Sequence, residues 1–433
     1  MENTNISWTD HSYSPWRGCT KVSPGCKFCL GGDTPVMMLN GLWKPLKDVV
    51  VGDVLAGCTE LGTDAPVQSA NRTLQESIVT AAWETQQETI EITLASGRTV
   101  VCSPSHRWLV RISNSRTKWI HAEDLTLASR IVAFGNPDTA AVLSDRFLLG
   151  YLAGATAGDG TMRIEGSGKN GTKQSYWRIA VLESDMQILN RIGAALAILG
   201  IQYAIKPFHS EGKNLGTVDP KPMSKIEQRS QAALEKIAIA LEPSEDRDWQ
   251  AGWVSGFFDT DGSLSGTMRS NGITARWSQV PARNDHLERL QEYLDNMDLA
   301  YTYETGTKID SVRLLLQSTD QRVQALSRFA PALPRKGVPR CVGSRIGLRT
   351  DQVVGVKRGP VKTLIDISTS TRTFIANGLV THNCYAETLR DGRFGKGEWG
   401  PTGVRSPAAE SYIAKLERQK PHPRLKLHAR GPR

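Results

Sequence analysis

Residues 148–160 read LLGYLAGATAGDG, and residues 251–262 read AGWVSGFFDTDG. Both stretches are apolar, rich in small residues and closed by Asp-Gly, at Asp159-Gly160 and Asp261-Gly262, with a spacing of 102 between the aspartates. Gly150, Gly154 and Gly158 recur every four residues, as do Gly252 and Gly256. That spacing puts them on one face of a helix, where two backbones can approach closely because no side chain intervenes. The segments C-terminal to the two stretches repeat as well. WRIAVLESD carries Arg178 and ARWSQVPARND carries Arg276. Amphipathic stretches come next, with Ile188, Ile192, Ala195 and Leu199 in the first and Leu287, Leu290, Leu294 and Met297 in the second. Ile201-Gln202-Tyr203 and Leu299-Ala300-Tyr301 close each unit. The reading is two half-domains, each ordered helix, strands, helix, over residues 141–341.

Working outward, residues 29–140 hold short β-type runs broken by turn residues, such as VVVGDVLAGC and ETIEITLASGRTVVCSPSHRWLV. The same texture returns over 342–383 in DQVVGVKRG, TLIDIST and TFIANGLV. A β-domain interrupted by the repeated unit is the simplest account. Residues 1–28 and 384–433 share neither pattern. Composition agrees with a globular chain: 39% of the 433 residues are hydrophobic and 22% charged, which excludes disordered and collagen-like classes. Net charge is +9, yet 11 Lys/Arg face 5 Asp/Glu in residues 384–433, so the rest is only slightly basic. Seven cysteines in this length argue against a disulfide framework. No run is long enough to cross a bilayer, and the N-terminus lacks a secretory pattern, so no membrane role and a cytoplasmic location are expected.

The junctions carry the most unusual chemistry. Cys29 begins a segment ending in His382-Asn383, and Cys384 follows at once. A thiol can attack the carbonyl before it, and an asparagine amide can cyclise onto its own carbonyl, so together they can excise the segment between them. Such bonds are inert unless a group polarises the Phe28–Cys29 peptide and donates a proton to its leaving nitrogen. Ser103-Pro104-Ser105-His106 offers a hydroxyl and an imidazole for that task.

At these residues the sequence resembles an intein. Cys29 with LGGDTPV, VGD at 51–53, Ser103-x-x-His106, Asp366 in LIDIS and FIANGLVTHNC at 374–384 stand in the order of that family's splicing blocks. The resemblance implies an all-β, horseshoe-shaped splicing domain of the Hedgehog/intein type, formed by 29–140 and 342–383. By the same resemblance Cys29, Ser103, His106, Asp366, His382, Asn383 and Cys384 are catalytic, and splicing needs no cofactor. His106 would protonate the departing Cys29 nitrogen, Asp366 would tune Cys384, and His382 would assist Asn383. The chain departs from the family at Ser103, often Thr, and at Arg372, often His; arginine cannot titrate as a base.

Residues 141–341 resemble the single-chain, two-motif LAGLIDADG homing endonucleases. That implies an inserted α+β domain with a pseudo-two-fold repeat, Asp159 and Asp261 as catalytic ligands of Mg²⁺, and a monomer acting on double-stranded DNA at the insert-free host gene. Lys173, Arg178, Arg269 and Arg276 would lie over the DNA. The flanks, 1–28 and 384–433, form a short host protein once joined, with Cys19-x6-Cys26-x2-Cys384. This resembles a phage protein family with a three-cysteine motif related to radical S-adenosylmethionine enzymes. Three thiolates suit a [4Fe–4S] cluster. In the unjoined chain, Cys19, Cys26 and Cys29 show the same spacing, so a disulfide or a captured metal there would block the first acyl shift. Two alternatives stay open: a splicing domain with an inactive endonuclease, and an iron–sulfur host enzyme carrying an inert insertion.

Overall fold

A computed structural model describes residues 29–60, 68–69, 71–167, 173–208, 221–266, 273–280, 284–306, 308–316 and 318–383. Cys19, Cys26, Arg269 and Cys384 lie outside them.

Residues before 141 and after 342 interleave in one 13-stranded hydrogen-bonded sheet. Its spine is the antiparallel pairing of Leu74–Leu94 with Thr350–Thr369, two strands that the intervening α/β unit separates in sequence. Register shifts at Val353/Gly355, Gly359/Lys362 and Ser368/Thr369 interrupt the pairing, as bulges do where long strands must coil. The last two strands, Thr373–Ala376 and Leu379–His382, form a hairpin around Asn377-Gly378. Both turn residues take positive φ, 49° and 72°, the conformation that Asn-Gly supplies in a two-residue hairpin. Arg98 holds this turn by donating to the Asn377 carbonyl at 2.8 Å, while its other nitrogen lies 2.9 Å from Asp351.

Among the described residues the α/β unit holds six α-helices: α1 (Asp145–Asp159), α2 (Met186–Ile198), α3 (Gln231–Ala240), α4 (Arg247–Thr260), α5 (Asn284–Asn296) and α6 (Thr319–Phe329). Each half carries a four-stranded antiparallel sheet with the same hairpin-first topology. The 102-residue spacing extends to the caps. Ser144 accepts from the Phe147 N–H at 3.2 Å, and Asp246, 102 residues on, accepts from the Trp249 N–H at 3.0 Å. The helix-strands-helix expectation covers only the first part of each half, because a second pair of strands and a closing helix, α3 or α6, follow in each.

α1 and α4 pack through their glycines. A Cβ built on Gly150 or Gly154 would lie 1.9 Å from the carbonyl oxygen of Trp249 or Trp253, and one on Gly252 would lie 1.9 Å from the Phe147 oxygen. These neighbours are backbone, so the two helix axes can lie this close only with glycine at the contact. One apolar cluster continues from this unit into the sheet, including Phe329, Leu333, Val338 and Cys341 on one side and Cys58, Leu74, Phe134 and Val380 on the other. The chain returning from the unit is bonded to the sheet at once, from Leu74 N–H to the Ser344 oxygen and from Ile346 N–H to the Arg72 oxygen, both 2.9 Å. Among the described residues, no helix is long and apolar enough to cross a membrane.

Candidate functional site

The first site is built where the two ends of the sheet converge. Leu30 pairs with both Cys102 and Ile365, which sets Cys29 at the mouth of two strands. Ser103 to His106 is a four-residue turn closed by the His106 N–H on the Ser103 carbonyl at 3.0 Å, with Pro104 at its second position. That turn explains the Ser-x-x-His spacing, since its first and last residues are brought back together. The Cys29 N–H donates to Ser103 Oγ at 3.0 Å, and the Ser103 N–H donates to the Cys29 carbonyl at 2.9 Å. Gln87, from the long strand, donates through Nε2 to Cys29 Sγ at 3.4 Å.

The other end arrives by strand pairing. Thr381 is opposite Trp108 and His382 opposite Arg107, which lays the chain's His-Asn against the strand after the turn. His106 Nε2 meets the Thr381 hydroxyl, and its ring lies 4.7 Å from the Trp108 ring. His382 Nδ1 is 2.7 Å from the Asn383 carbonyl oxygen, and its Nε2 is 2.7 Å from Glu60 Oε1. The Asn383 N–H donates to the Arg372 carbonyl at 3.0 Å, from a backbone with φ of 63°. Cys29, Ser103, His106, Asp366, His382 and Asn383 are all buried to 1% exposure or less. Asp366 lies on the long strand one residue beyond Ile365, opposite Trp83. A buried thiol, hydroxyl, imidazole and terminal asparagine gathered in this way can perform acyl transfer at both ends of the segment.

Sequence reasoning does not single out Glu60, Gln87 or Thr381. Nothing local marks them, for Glu60 reaches His382 across 322 residues through the sheet alone. Burial pushes the thiols of two other core cysteines up, Cys102 to about 12 and Cys341 to about 11. Both stay protonated and unreactive near neutral pH.

The second site lies at the C-terminal ends of α1 and α4. There, partial burial and the charge of Asp261 raise the Asp159 carboxyl above its usual range, against the pull of Lys336. Asp261 accepts from Gln279 Nε2. The second motif holds another aspartate, and its role differs. Asp259 is buried and accepts from the Tyr151 hydroxyl at 2.8 Å and the Ala332 N–H at 2.6 Å, so it fastens α1 and the chain after α6 to α4. Lys336 caps α4 by donating to the carbonyls of Phe258, Asp259 and Gly262 at 2.9, 2.7 and 2.7 Å. Burial lowers its ammonium to about 8. Lys336→Met leaves three buried carbonyls without that donor, and we expect a loss of about 3 kcal/mol or more, read as a fall in the urea midpoint. An unchanged midpoint would show that other donors serve those carbonyls.

A cleft of about 800 Å³ opens beside Asp159, with Arg178, Arg335, Lys336 and Arg340 among its walls. Arg178 pairs with Thr161 and Arg276 with Ser263, equivalent positions of the two sheets. Each alternates with buried neighbours, Trp177 and Ile179 or Ala275 and Trp277, so both point away from the helices. Neither is a bare cation. Arg178 lies over the Phe208 and Tyr176 rings at 5.0 and 5.4 Å and 4.0 Å from Glu227, and Arg276 donates to Ser311 Oγ at 3.0 Å. Lys173 opens the strand that carries Arg178. Among the described residues, no three His, Cys, Asp or Glu side chains come together as a metal cage. Two like-charged carboxylates still fit a hard divalent cation whose other ligands are water and phosphate oxygens.

Residues 3–41 match a family described as a protein of unknown function (DUF5131). No curated protein matches the chain. Among solved structures, the chain is similar to I-DmoI in complex with DNA and Ca, at 14% identity, covering 39% of this chain and 83% of that one with a TM-score of 0.31. It is also similar to the LAGLIDADG meganuclease I-CpaMI bound to uncleaved DNA, at 11% identity, 45% and 88% coverage and a TM-score of 0.29. The G-1F mutant of the Ssp DnaB mini-intein variant M86 is similar at 9% identity, 83% and 99% coverage and a TM-score of 0.29. Scores this low do not by themselves establish a shared fold.

Proposed function

We propose that residues 29–383 are an intein, which cuts itself out of the chain and joins Phe28 to Cys384, and that its α/β unit is a homing endonuclease. The observation that carries this reading is the meeting of Cys29, the Ser103-to-His106 turn and His382-Asn383 in one buried site. In the first step Cys29 Sγ attacks the Phe28 carbonyl carbon. The C–N bond breaks, His106 supplies the proton to the nitrogen, and a thioester remains. Cys384 thiolate then takes the acyl group, releasing the Cys29 thiolate, with Asp366 accepting the Cys384 proton. Asn383 Nδ2 next attacks its own carbonyl, closing a succinimide and freeing the Cys384 amine. That amine displaces the thioester sulfur and leaves an ordinary peptide bond.

Asp159 and Asp261 bring two carboxylates to one point between the sheets, and the raised Asp159 carboxyl supports a demand for positive charge there. A bound Mg²⁺ would supply that charge to a scissile phosphate. The two outward arginine faces, with Lys173 and Arg269, would follow the DNA backbone. The chain acts as a monomer in the reducing cytoplasm, where Cys29 and Cys384 remain thiols. The joined host, a phage protein of the three-cysteine type, would hold a [4Fe–4S] cluster through Cys19, Cys26 and Cys384 and use S-adenosylmethionine.

An intact-mass time course of the full chain tests splicing. A species matching residues 29–383 and a ligated product should appear in the parent chain and be missing from the Cys29→Ala, Asn383→Ala double variant; a stable parent chain under reducing, metal-free conditions would sink the reading. For the nuclease, Mg²⁺-dependent linearisation of a plasmid bearing the uninterrupted host junction should fall about 100-fold or more in Asp159→Asn and in Asp261→Asn. Equal cutting by parent and variants, or none by the parent, would leave the α/β unit without the proposed activity.

A further inference from the structure

We propose that Glu60 is the positioning residue of the C-terminal junction: it holds the His382 ring aimed at the Asn383 carbonyl, with Arg372 bracing its other oxygen. This rests on the splicing reading above and deepens it. The geometry fixes which way the ring points. A carbonyl oxygen can only accept, so the ring nitrogen 2.7 Å from the Asn383 oxygen is the donor there. The opposite nitrogen is held 2.7 Å from Glu60 Oε1. Arg372 Nη1 lies 3.7 Å from Glu60 Oε2 and fixes that carboxylate from behind. His382 is 1% exposed and Glu60 11%, so water screens their attraction little.

The arrangement also explains how the junction works with arginine at position 372. Arg372 touches the site twice, through its guanidinium on Glu60 and through its carbonyl on the Asn383 N–H. Trp119 stands edge-on to the His382 ring at 5.1 Å and limits its rotation. Arg107, opposite His382 in the strand pairing, and Arg72, whose guanidinium lies over the Trp119 ring at 5.2 Å and interacts with Glu60, are further charged groups at this end. As Asn383 Nδ2 bonds to the carbonyl carbon, negative charge gathers on the oxygen that His382 faces. The carbon–nitrogen bond to Cys384 then breaks, Nδ2 gives up one proton and the Cys384 nitrogen gains one. His382 keeps the proton it presents to that oxygen. Its contribution is a fixed donor at the place where charge develops.

The test separates the two ends. In a Cys29→Ala chain only asparagine cyclisation can proceed, and Glu60→Gln should slow release of the C-terminal fragment about 10- to 100-fold. Thiol-induced cleavage at Cys29, measured in an Asn383→Ala chain, should keep at least half its rate, which also shows that the variant folds. Glu60→Asp, with its carboxylate one methylene shorter, should fall between the two. In the Cys29→Ala, Asn383→Ala chain, the ¹⁵N resonance of His382 Nε2 should shift in Glu60→Gln, because that nitrogen lies 2.7 Å from the Glu60 carboxylate, while the Nδ1 resonance stays put. Cyclisation at the parent rate in Glu60→Gln, or an unchanged ring spectrum, overturns the proposal while leaving splicing intact. If the parent gives neither thiol-induced cleavage nor C-terminal release, the splicing reading itself fails and Glu60 falls with it.

Discussion

Gly252→Val should unfold the α/β unit or hold it open, and abolish DNA cutting, although the substitution lies 9 residues before Asp261. The site for a Cβ at Gly252 is 1.9 Å from the Phe147 carbonyl oxygen, 2.8 Å from its carbon and 2.9 Å from the Tyr151 nitrogen. All three are main-chain atoms of α1, so no rotamer change relieves the clash. Restoring ordinary contact means moving the helices apart by about 1.5 Å or more, which also breaks the matched contacts at Gly150, Gly154 and Gly256. Overpacking on this scale costs about 4 kcal/mol or more, a large share of a domain's stability. For a unit of this size we expect Tm to fall by about 8–16 °C in a calorimetric scan. The two carboxylates at the helix ends would separate at the same time. A Tm within about 2 °C of the parent would show that the close packing is not what holds the halves together.

That packing is also the most legible part of the chain. Small residues every four positions, with the same pattern again 102 residues later, state the contact directly, because only a backbone-to-backbone interface needs so many absent side chains. Cys29, His382 and Asn383 draw notice in the sequence for another reason: a thiol at one end of a segment and His-Asn at the other are the pair that self-excision needs. The hidden part depends on strand register. Glu60, Gln87 and Thr381 join the site through pairings that span most of the chain, and no local pattern encodes those. By sequence Arg178 is expected as a free cation, but Glu227 and two aromatic rings surround it, so its charge is already shared within the chain. Lys336 escapes notice because a lysine after a helix looks like surface, whereas its ammonium donates to three carbonyls around the end of α4. Cys19, Cys26, Arg269 and Cys384 fall outside the described residues, so the host cluster and one of the proposed DNA contacts rest on sequence alone.

His106→Ala should slow the first acyl shift by about 10²- to 10⁴-fold, measured as thiol-induced cleavage at Cys29 in an Asn383→Ala chain. Ser103 and His106 are the two ends of the turn that holds Cys29, and in the proposed reading they do different work. Ser103 Oγ accepts the Cys29 N–H, which orients the nitrogen while it still carries its proton. When the bond breaks, that nitrogen needs a second proton, and Ser103, held as acceptor, is poorly placed to give one. The buried imidazole at the far end of the same turn is the group that can. Its other task is structural, because Nε2 meets the Thr381 hydroxyl and ties the turn to the C-terminal strand. His106→Gln separates the two, keeping a polar group for Thr381 but no group able to transfer a proton. A Gln variant as slow as Ala assigns His106 to proton donation. If Gln restores the parent rate, the imidazole serves only to hold the two ends of the sheet together, and the proton must reach Cys29 by another route.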